Sequence, residues 1–383
     1  MVRLADLIAL LDAWYDPAWA ESWDAVGLVC GDPEARVDQL LLAVDAVPQT
    51  VAEARDSGAT MLLTHHPLLL TGVHGVPASD PKGRLVHDMI RSGVAHFVAH
   101  TNADVARPGV SDALAERLGL VDLEPLVPHL DEALDKLVVY VPVADAAALI
   151  DALARAGAGT IGDYDRCAWT VEGMGTFRPG LAASPAVGTP GRIESVAETR
   201  LEMVSPSRHR SEIVAALRVA HPYEEPAFDL LPQVPMPTRR GTGRVGRLPN
   251  PTTVREFTEH AARRLPATVW GVRCAGDPEH PVRTVAVCGG AGQDYTDAAR
   301  RAGVDLYLTS DLKHHRTVEA VTERGSGLAL LDAAHWATEA PWLDAVADRL
   351  RAELGTTVEV RVSRQVTDPW TLHANSPAPS GNA

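Results

Sequence analysis

The chain has 383 residues, of which 46% are hydrophobic, and its formal net charge at pH 7 is −15. This length and composition allow two or three globular domains with buried cores. The acidic balance, without a basic stripe or arm, argues against a nucleic acid as main partner, and no apolar run approaches the roughly 18 residues of a membrane span, so we expect a cytoplasmic protein without a membrane partner.

The first 128 residues alternate helix and strand patterns. A helix from about Leu4 to Trp14 precedes the strand LLLAVDAV (Leu40–Val47), and the strands TMLLTH and VAHFVAH follow with helices between them. Continuous apolar strands between helices of about 10–15 residues are typical of a sheet covered on both faces, so this block is predicted to be α/β. Its last helix, SDALAERLG, is predicted to start at an N-cap Ser111 and to end at Gly119.

Residues 129–244 show a different order: strand, helix, strand, strand, helix, strand. This order predicts a small ferredoxin-like α+β domain inserted into the larger α/β domain. The α/β alternation resumes over residues 245–368, with the strands TVAVCGG, VDLYLTS and LALLDAA each followed by a helix. Residues 369–383 are predicted to be a disordered tail.

Two adjacent histidines, His65 and His66, lie in the aliphatic segment MLLTHHPLLL. A buried imidazole costs free energy unless its ring nitrogens find partners, and successive strand residues face opposite sides of a sheet. Because Pro67 removes a ladder donor and keeps His66 extended, we expect the two histidines at the C-terminal exit of the strand. Here they could bind two metal ions, or one could be a core residue and the other exposed.

Two further strand ends carry metal-binding residue types. Asp104 follows the strand that ends at His100, so its carboxylate could bridge two cations or cap a turn, while His100 and Asn102 could orient ligands. His335 and Glu339 follow the strand LALLDA with the spacing of one helical turn, which places both on one face. This pair suits an N/O metal site, although the same spacing is common on solvated helix faces.

The segment TSDLKHH contains Asp311 and His314, which are candidates for proton transfer beside a small anionic or nucleotide ligand, or else belong to an ordinary helix start. The glycine-rich stretch from Cys288 to Gly303 lacks the full phosphate-binding pattern and is interpreted as a tight turn that needs positive φ. In the middle region, the charged residues of HPYEEPAFD (His221–Asp229) could form a polar site or the turn and edge of the last strand.

Five segments, taken together in chain order, closely resemble the NIF-three-like family of dinuclear-metal proteins. They are THHP, HTNADVARPGVSDALAERLGL, CGGAG, AGVDLYLTSDLKHH and LLDAAHWATE. Members of this family are often labelled GTP cyclohydrolase I type-two homologs. WDAVGLVCGD (Trp23–Asp32) is similar to the N-terminal signature of that family. The resemblance implies one core built from two related α/β blocks. It also implies a two-metal site whose ligands fall on His65, His66, Asp104, His335 and Glu339.

The resemblance further implies a toroidal homohexamer and a middle insert similar to the PII and CutA folds. Such a ligand set suits two divalent ions of zinc, iron or manganese, and paired ions about 3.5–4 Å apart can activate a shared water. We therefore expect a metal-dependent, cyclohydrolase-like hydrolase acting on a nucleotide or cyclic amide, with Asp311 and His314 as candidate catalytic residues. The alternative is a non-enzymatic hexameric metal-binding or sensing assembly whose insert binds an effector.

Overall fold

The computed structural model describes residues 2–323 and 327–374. They form two compact units: unit 1 takes in the chain up to His129 and again from Arg239 onward, and unit 2 comprises Leu130–Thr238. Among the helices in these ranges, none is both long enough and apolar enough to cross a membrane. The predicted disordered tail lies outside the described residues from position 375 onward.

The first half of unit 1 consists of short strands alternating with helices. Its elements are β1 (Val2–Arg3), α1 (Leu4–Trp14), a 3₁₀ turn (Pro17–Trp19), β2 (Gly27–Cys30), β3 (Arg36–Val37), β4 (Gln39–Ala43), α2 (Pro48–Ser57), β5 (Met61–Thr64), α3 (Pro81–Arg91), β6 (Ala95–Val98), α4 (Thr101–Val105), α5 (Val110–Arg117) and β7 (Val121–Leu130). Every residue of β4, β5 and β6 is buried, as expected for strands covered on both faces.

Unit 2 follows the order β-α-β-β-α-β. Its elements are β8 (Leu134–Pro142), a 3₁₀ turn (Val143–Asp145), α6 (Ala146–Arg155), β9 (Trp169–Phe177), β10 (Glu194–Pro206), a 3₁₀ turn (Ser207–His209), α7 (Arg210–Ala220) and β11 (Phe228–Pro232). The strands form one antiparallel sheet in the order β11-β8-β10-β9. Alternate sheet residues such as Val139 and Leu201 form a core with Leu149, Leu153 and Ile213 of the helices.

The second half of unit 1 again alternates strands and helices. Its elements are β12 (Pro237–Thr253), α8 (Val254–Arg264), β13 (Val272–Ala275), β14 (Pro281–Ala291), a 3₁₀ turn (Gln293–Tyr295), α9 (Thr296–Arg301), β15 (Leu306–Ser310), α10 (His314–Thr322), β16 (Ala329–Ala333), α11 (His335–Leu354) and β17 (Glu359–Val362). The mixed α/β class predicted from the sequence is confirmed.

Two sheets of unit 1 position the candidate site. One has the order β17-β4-β5-β6-β2, with β17 to β6 parallel and β2 antiparallel at the edge. The other has the order β13-β16-β15-β14-β12-β7, with β14, β15 and β16 parallel. Helix α11 packs against strands of both sheets. The first turns of this helix therefore lie within reach of strand ends from either sheet, which is where parallel α/β sheets place ligand sites.

Two local predictions differ from the structure. The N-cap of α5 is Gly109 rather than Ser111, because Asp112 accepts a hydrogen bond from the Gly109 N–H at 2.8 Å while Ser111 is buried inside the first turn. The strand predicted to reach Val47 ends at Ala43, so Asp45 lies past the sheet and its carboxylate is free to contact the loop after β5.

Candidate metal centre

The histidine pair leaves the first sheet where the sequence predicts. Strand β5 ends at Thr64, and the imidazole centroids of His65 and His66 lie 5.1 Å apart at 40°. The ring of His100, past the end of β6, lies 5.1 Å from that of His65, and the ring of His335 lies 5.1 Å from that of His66. Four imidazoles from the ends of β5, β6 and β16 therefore form one cluster.

Glu339 lies at the centre of this cluster and its side chain is 3% exposed. Its Oε1 is 2.9 Å from Nε2 of His335, at the predicted spacing on α11, and 3.5 Å from Nε2 of His65. Its Oε2 is 3.0 Å from Nε2 of His66. Asp104 lies in the short helix α4 rather than in a loop, with Oδ1 at 3.7 Å from Nε2 of His65.

Each of the four imidazoles has its Nδ1 atom against an oxygen acceptor. The pairs are His65 with the Ala99 carbonyl at 2.9 Å, His66 with Asp45 at 2.7 Å, His100 with Asp24 at 2.8 Å, and His335 with Asp311 at 2.6 Å. Since carbonyl and carboxylate oxygens only accept, each Nδ1 donates its proton. Metal-binding histidines are oriented in this way, with Nε2 left as the ligand atom.

Sequence reasoning missed two of these acceptors, Asp24 and Asp45. Asp24 belongs to WDAVGLVCGD, and it also accepts hydrogen bonds from the Thr101 backbone N–H at 3.1 Å and from its hydroxyl. Burial raises the pKa of Asp24, but the bonds from His100 and Thr101 outweigh it and leave the pKa lowered. A carboxylate at the end of an apolar strand, as in LLLAVD, is the signal that could have identified Asp45.

The charges of the cluster depend on one another. Burial raises the pKa of Glu339, but the imidazoles of His66, His335 and His65 outweigh it and hold the pKa well below its ordinary value. Burial lowers the pKa of His335, yet the carboxylates of Glu339 and Asp311 raise it to about 10. For Asp104, burial raises the pKa and His65 opposes this only in part. The centre thus stabilises positive charge, carried by protons or by metal ions.

Several atoms of the cluster lack hydrogen-bond partners. Within the described part of the chain, the buried polar atoms without one include Nε2 of His65, Oδ1 of Asp104 and Oε2 of Glu339. Ligand atoms of His65, His66 and His100 lie within 4.8 Å of one another, as do those of His66, His335 and Glu339. Nitrogen and oxygen donors in this arrangement fit divalent zinc, iron or manganese. His100 thus joins a ligand group, whereas the sequence suggested only an orienting role.

The glycine-containing irregularity near the end of β14, where the pairing register with β15 shifts, closes one side of the cluster. Gly290 has the predicted positive φ, 67°, but lies within strand β14 rather than in a tight turn, and its N–H donates to Oγ1 of Thr338 at 2.9 Å. A Cβ atom at this position would overlap Oε1 of Glu339 and lie 3.1 Å from Nε2 of His335. A side chain at Gly290 is therefore incompatible with the observed positions of these two groups.

We expect Gly290→Ala to weaken divalent-metal binding at least about tenfold, because the methyl group displaces Glu339 and His335 from their positions. Zinc titration by calorimetry measures the effect. Gly303→Ala is the matched control, since Gly303 has φ of 68° and no atom within 4 Å of an added Cβ. Both variants carry the same backbone strain, so equal metal affinities would contradict the prediction.

The two predicted catalytic residues occupy different environments. Asp311, with φ of 58°, bonds to Nδ1 of His335 and so contacts the cluster directly. His314 is exposed at the first residue of α10, and its ring lies 5.2 Å from that of His315. Proton transfer by Asp311 or His314 stays a prediction.

Two cavities open onto the cluster, and His66 and His335 line both. The larger, of about 710 Å³, is also lined by Trp23, Lys82, His100, Asp104 and Tyr295. The smaller, of about 510 Å³, is also lined by Trp270, Arg273, Asp311, Asp368 and Trp370. Aromatic rings in both cavities suit a planar ligand, and Lys82 of the larger cavity can contact an anionic group, whereas Arg273 of the smaller cavity is paired with Asp332.

The chain is similar to known proteins over almost its whole length. A family model described as Duf34/NIF3 (NGG1p interacting factor 3) matches residues 2–369. A Mycobacterium leprae (strain TN) protein described as a GTP cyclohydrolase 1 type 2 homolog is 52% identical over 373 residues, covering 97% of this chain and 96% of that protein. A Streptomyces coelicolor protein with the same description is 39% identical, covering 100% and 98%.

The similarity to solved structures also extends over almost the whole chain. The crystal structure of a Bacillus cereus protein described as related to NIF3 superposes with a TM-score of 0.68 at 34% identity, covering 97% of this chain and 99% of that one. A Staphylococcus aureus protein superposes with a TM-score of 0.79 at 26% identity, with the same coverage.

Proposed function

Because the chain belongs to the Duf34/NIF3 family, we propose that it is a dinuclear-metal-dependent hydrolase acting on a nucleotide or a cyclic amide. The observation that carries the proposal is the convergence of four imidazoles, each with Nδ1 tied to an acceptor, around the buried carboxylate of Glu339. The description of its relatives as GTP cyclohydrolase 1 type 2 homologs supports the substrate class.

The residues that would hold two divalent ions of zinc, iron or manganese are those of the cluster. They are His65, His66, Asp104, His335 and Glu339, with His100 as a sixth candidate. When bound, such a pair of ions lowers the pKa of water and stabilises a developing oxyanion.

The side chains around the proposed metal ligands have different roles. Asp45 and Asp311 keep the imidazoles of His66 and His335 in one tautomer and one orientation. Lys82 adds a positive charge to the larger cavity, where it attracts an anionic substrate, and Tyr295 offers a ring on which a planar substrate can stack. Asp311 is the proton-transfer candidate nearest to the cluster.

The experiment that tests the proposal is elemental analysis of the purified protein, followed by formate-release assays on GTP and hydrolysis assays on a panel of cyclic amides. Turnover is expected for the metal-loaded protein and is expected to disappear in His65→Ala. His74→Ala, at an exposed histidine that lines neither cavity, separates loss of a cluster residue from loss of an exposed histidine. A fully metal-loaded protein that turns over none of these compounds would favour the non-enzymatic sensing assembly instead.

The proposal includes a toroidal homohexamer in the cytoplasm, which the family resemblance supports. Light scattering coupled to size-exclusion chromatography is expected to give six times the chain mass of 40.8 kDa.

A further inference from the structure

The segment HPYEEP in unit 2 has a defined geometry that the metal centre does not use. The N–H of Tyr223 donates to Nδ1 of His221 at 3.0 Å, so the other ring nitrogen carries the proton and donates to the Tyr140 carbonyl at 2.9 Å. His221 is 6% exposed, and its ring lies 5.1 Å from that of Tyr223. The buried imidazole thus holds the Tyr223 ring beside strand β8.

Tyr223 lines a cavity of about 450 Å³ within unit 2, a volume in the range of small-molecule pockets. Most of the wall is apolar, and the ring of Phe177 lies 5.9 Å from that of Tyr223 at 53°. The aromatic and acidic lining residues are Tyr140, Phe177, Glu198, Tyr223, Glu224 and Glu225. Three rings and three carboxylates therefore line one cavity.

The carboxylate of Glu198 is held against the cavity wall. Its Oε1 accepts a hydrogen bond from the Tyr223 hydroxyl at 2.9 Å, and burial together with Glu198 raises the pKa of Tyr223 to about 12, so the phenol stays a donor. Strand β9 has Gly175 opposite this carboxylate, where a Cβ would overlap Oε2 of Glu198. The absence of a side chain at Gly175 leaves room for the carboxylate inside the cavity.

A second carboxylate fixes the loop that forms another wall. Glu224 accepts a hydrogen bond from the backbone N–H of Ser184 at 3.1 Å, and Ala183, Pro185 and Val187 of the same loop line the cavity. The apolar wall is thereby joined to the acidic segment by a specific contact.

The charges facing the cavity are of one sign. None of its lining residues, all of which are described, is a lysine or an arginine. The nearby guanidinium of Arg200 lies 5.9 Å over the Tyr140 ring but is paired with Glu202 at 3.0 Å. A ligand that is positively charged would therefore meet unneutralised carboxylates and the negative faces of aromatic rings.

We propose that this cavity in unit 2 is a binding site for a small organic cation, an ammonium group carried on an apolar body. Carboxylates and aromatic faces together recognise such a group, because ring quadrupoles attract cations that have lost part of their water. An anion would be repelled, and a neutral apolar ligand would leave the negative charge of the carboxylates uncompensated.

The test compares three ligands of nearly the same shape on the full-length protein: choline, its neutral isostere 3,3-dimethylbutan-1-ol, and the anion 3,3-dimethylbutanoate. Saturation-transfer difference NMR titrations give their affinities. We expect choline to bind about tenfold more tightly than the alcohol, and the anion not to bind. Equal affinities for choline and the alcohol, or no binding of choline, would overturn the proposal.

Two variants locate the site. Glu198→Gln keeps an acceptor for the Tyr223 hydroxyl but removes the charge, and is expected to weaken choline binding about tenfold. Glu172→Gln makes the same change at an exposed residue of β9 outside the cavity and is expected to leave the affinity unchanged. Equal effects of these two changes would contradict the assignment.

Phe177→Leu provides an independent check, because it keeps an apolar wall while removing one ring. This variant is expected to weaken choline binding severalfold and to leave the affinity for the alcohol unchanged. The metal content should be the same in all these variants. Failure of this proposal would thus be distinguishable from failure of the metal-dependent function.

Discussion

Glu339→Gln is expected to abolish stable metal binding, with a loss of divalent-metal affinity greater than about 100-fold. Replacing residues that merely orient metal ligands reduces affinity about 10–100-fold, and a residue at the centre of the cluster should exceed that range. Glu339 is the carboxylate closest to Nε2 of His65, His66 and His335, at 3.5, 3.0 and 2.9 Å. A glutamine of the same size removes the negative charge that these imidazoles share.

The measurement is the metal-to-protein ratio by elemental analysis, together with zinc titration by calorimetry. Glu353→Gln makes the same chemical change in an exposed position of helix α11 and should bind metal like the unmodified protein. Circular dichroism is expected to show the same helix content in both variants. A Glu339→Gln protein that retains two ions per chain would show that the cluster is not the metal centre.

Arg244→Ala is expected to lower the free energy of unfolding by about 3–5 kcal/mol, the usual range when one partner of a buried ion pair is removed. The Arg244 side chain is 0% exposed and makes a double contact with Asp112, at 2.8 and 2.6 Å. Its remaining N–H groups donate to the carbonyls of Ala106, Gly241 and Gly243. Truncation leaves the Asp112 carboxylate and three carbonyls without this donor.

Urea denaturation followed by circular dichroism measures this difference. Arg247→Ala, three residues later on the same strand, removes an exposed guanidinium paired with Asp122 and should change stability by less than about 1 kcal/mol. The double variant Arg244→Met with Asp112→Leu should be more stable than Arg244→Ala, because it leaves no buried charge unpaired. Equal destabilisation by Arg244→Ala and Arg247→Ala would contradict the assigned role.

The contacts of Arg244 also reach the segment that follows the helix carrying Asp104 of the candidate metal centre. Its contacts with Asp112 and with the Ala106 carbonyl link strand β12 to the start of α5 and to the segment just after α4. Helix α4 carries Asp104, so this buried ion pair anchors the chain two residues beyond that carboxylate without touching the cluster. No motif predicted this link, because Arg244 and Asp112 are far apart along the chain and neither has a distinctive neighbour pattern.

Local patterns predicted much of the candidate site. Pro67 after the histidine pair predicted that the pair lies at the C-terminal exit of the strand, and the strand ends at Thr64, one residue earlier than the segment TMLLTH suggested. The spacing of His335 and Glu339 predicted one helical face, and the two side chains meet at 2.9 Å. Both predictions succeeded because the deciding interactions, a missing ladder donor and the helical repeat, act over a few residues.

The hydrogen-bond acceptors of the imidazole rings were harder to predict from the sequence. Asp45 was assigned to the interior of a strand, and Asp24 was recognised only as part of a signature without a role. Their partners, His66 and His100, lie elsewhere in the sequence, and each pair forms only because β4, β5 and β6 are neighbours in one sheet. A carboxylate next to an apolar run does not by itself reveal which ring it will reach.

The sequence by itself determined the α/β class, the alternation of the buried parallel strands with helices, and which strand ends carry histidines and carboxylates, since these depend on apolar periodicity and on short-range geometry. Only the tertiary structure decided that the ends of strands from two different sheets meet at Glu339, that His100 joins a candidate ligand group and that a side chain at Gly290 would overlap the observed position of Glu339. These features depend on packing between segments far apart in the chain, and no local sequence pattern predicts the energies of such packing.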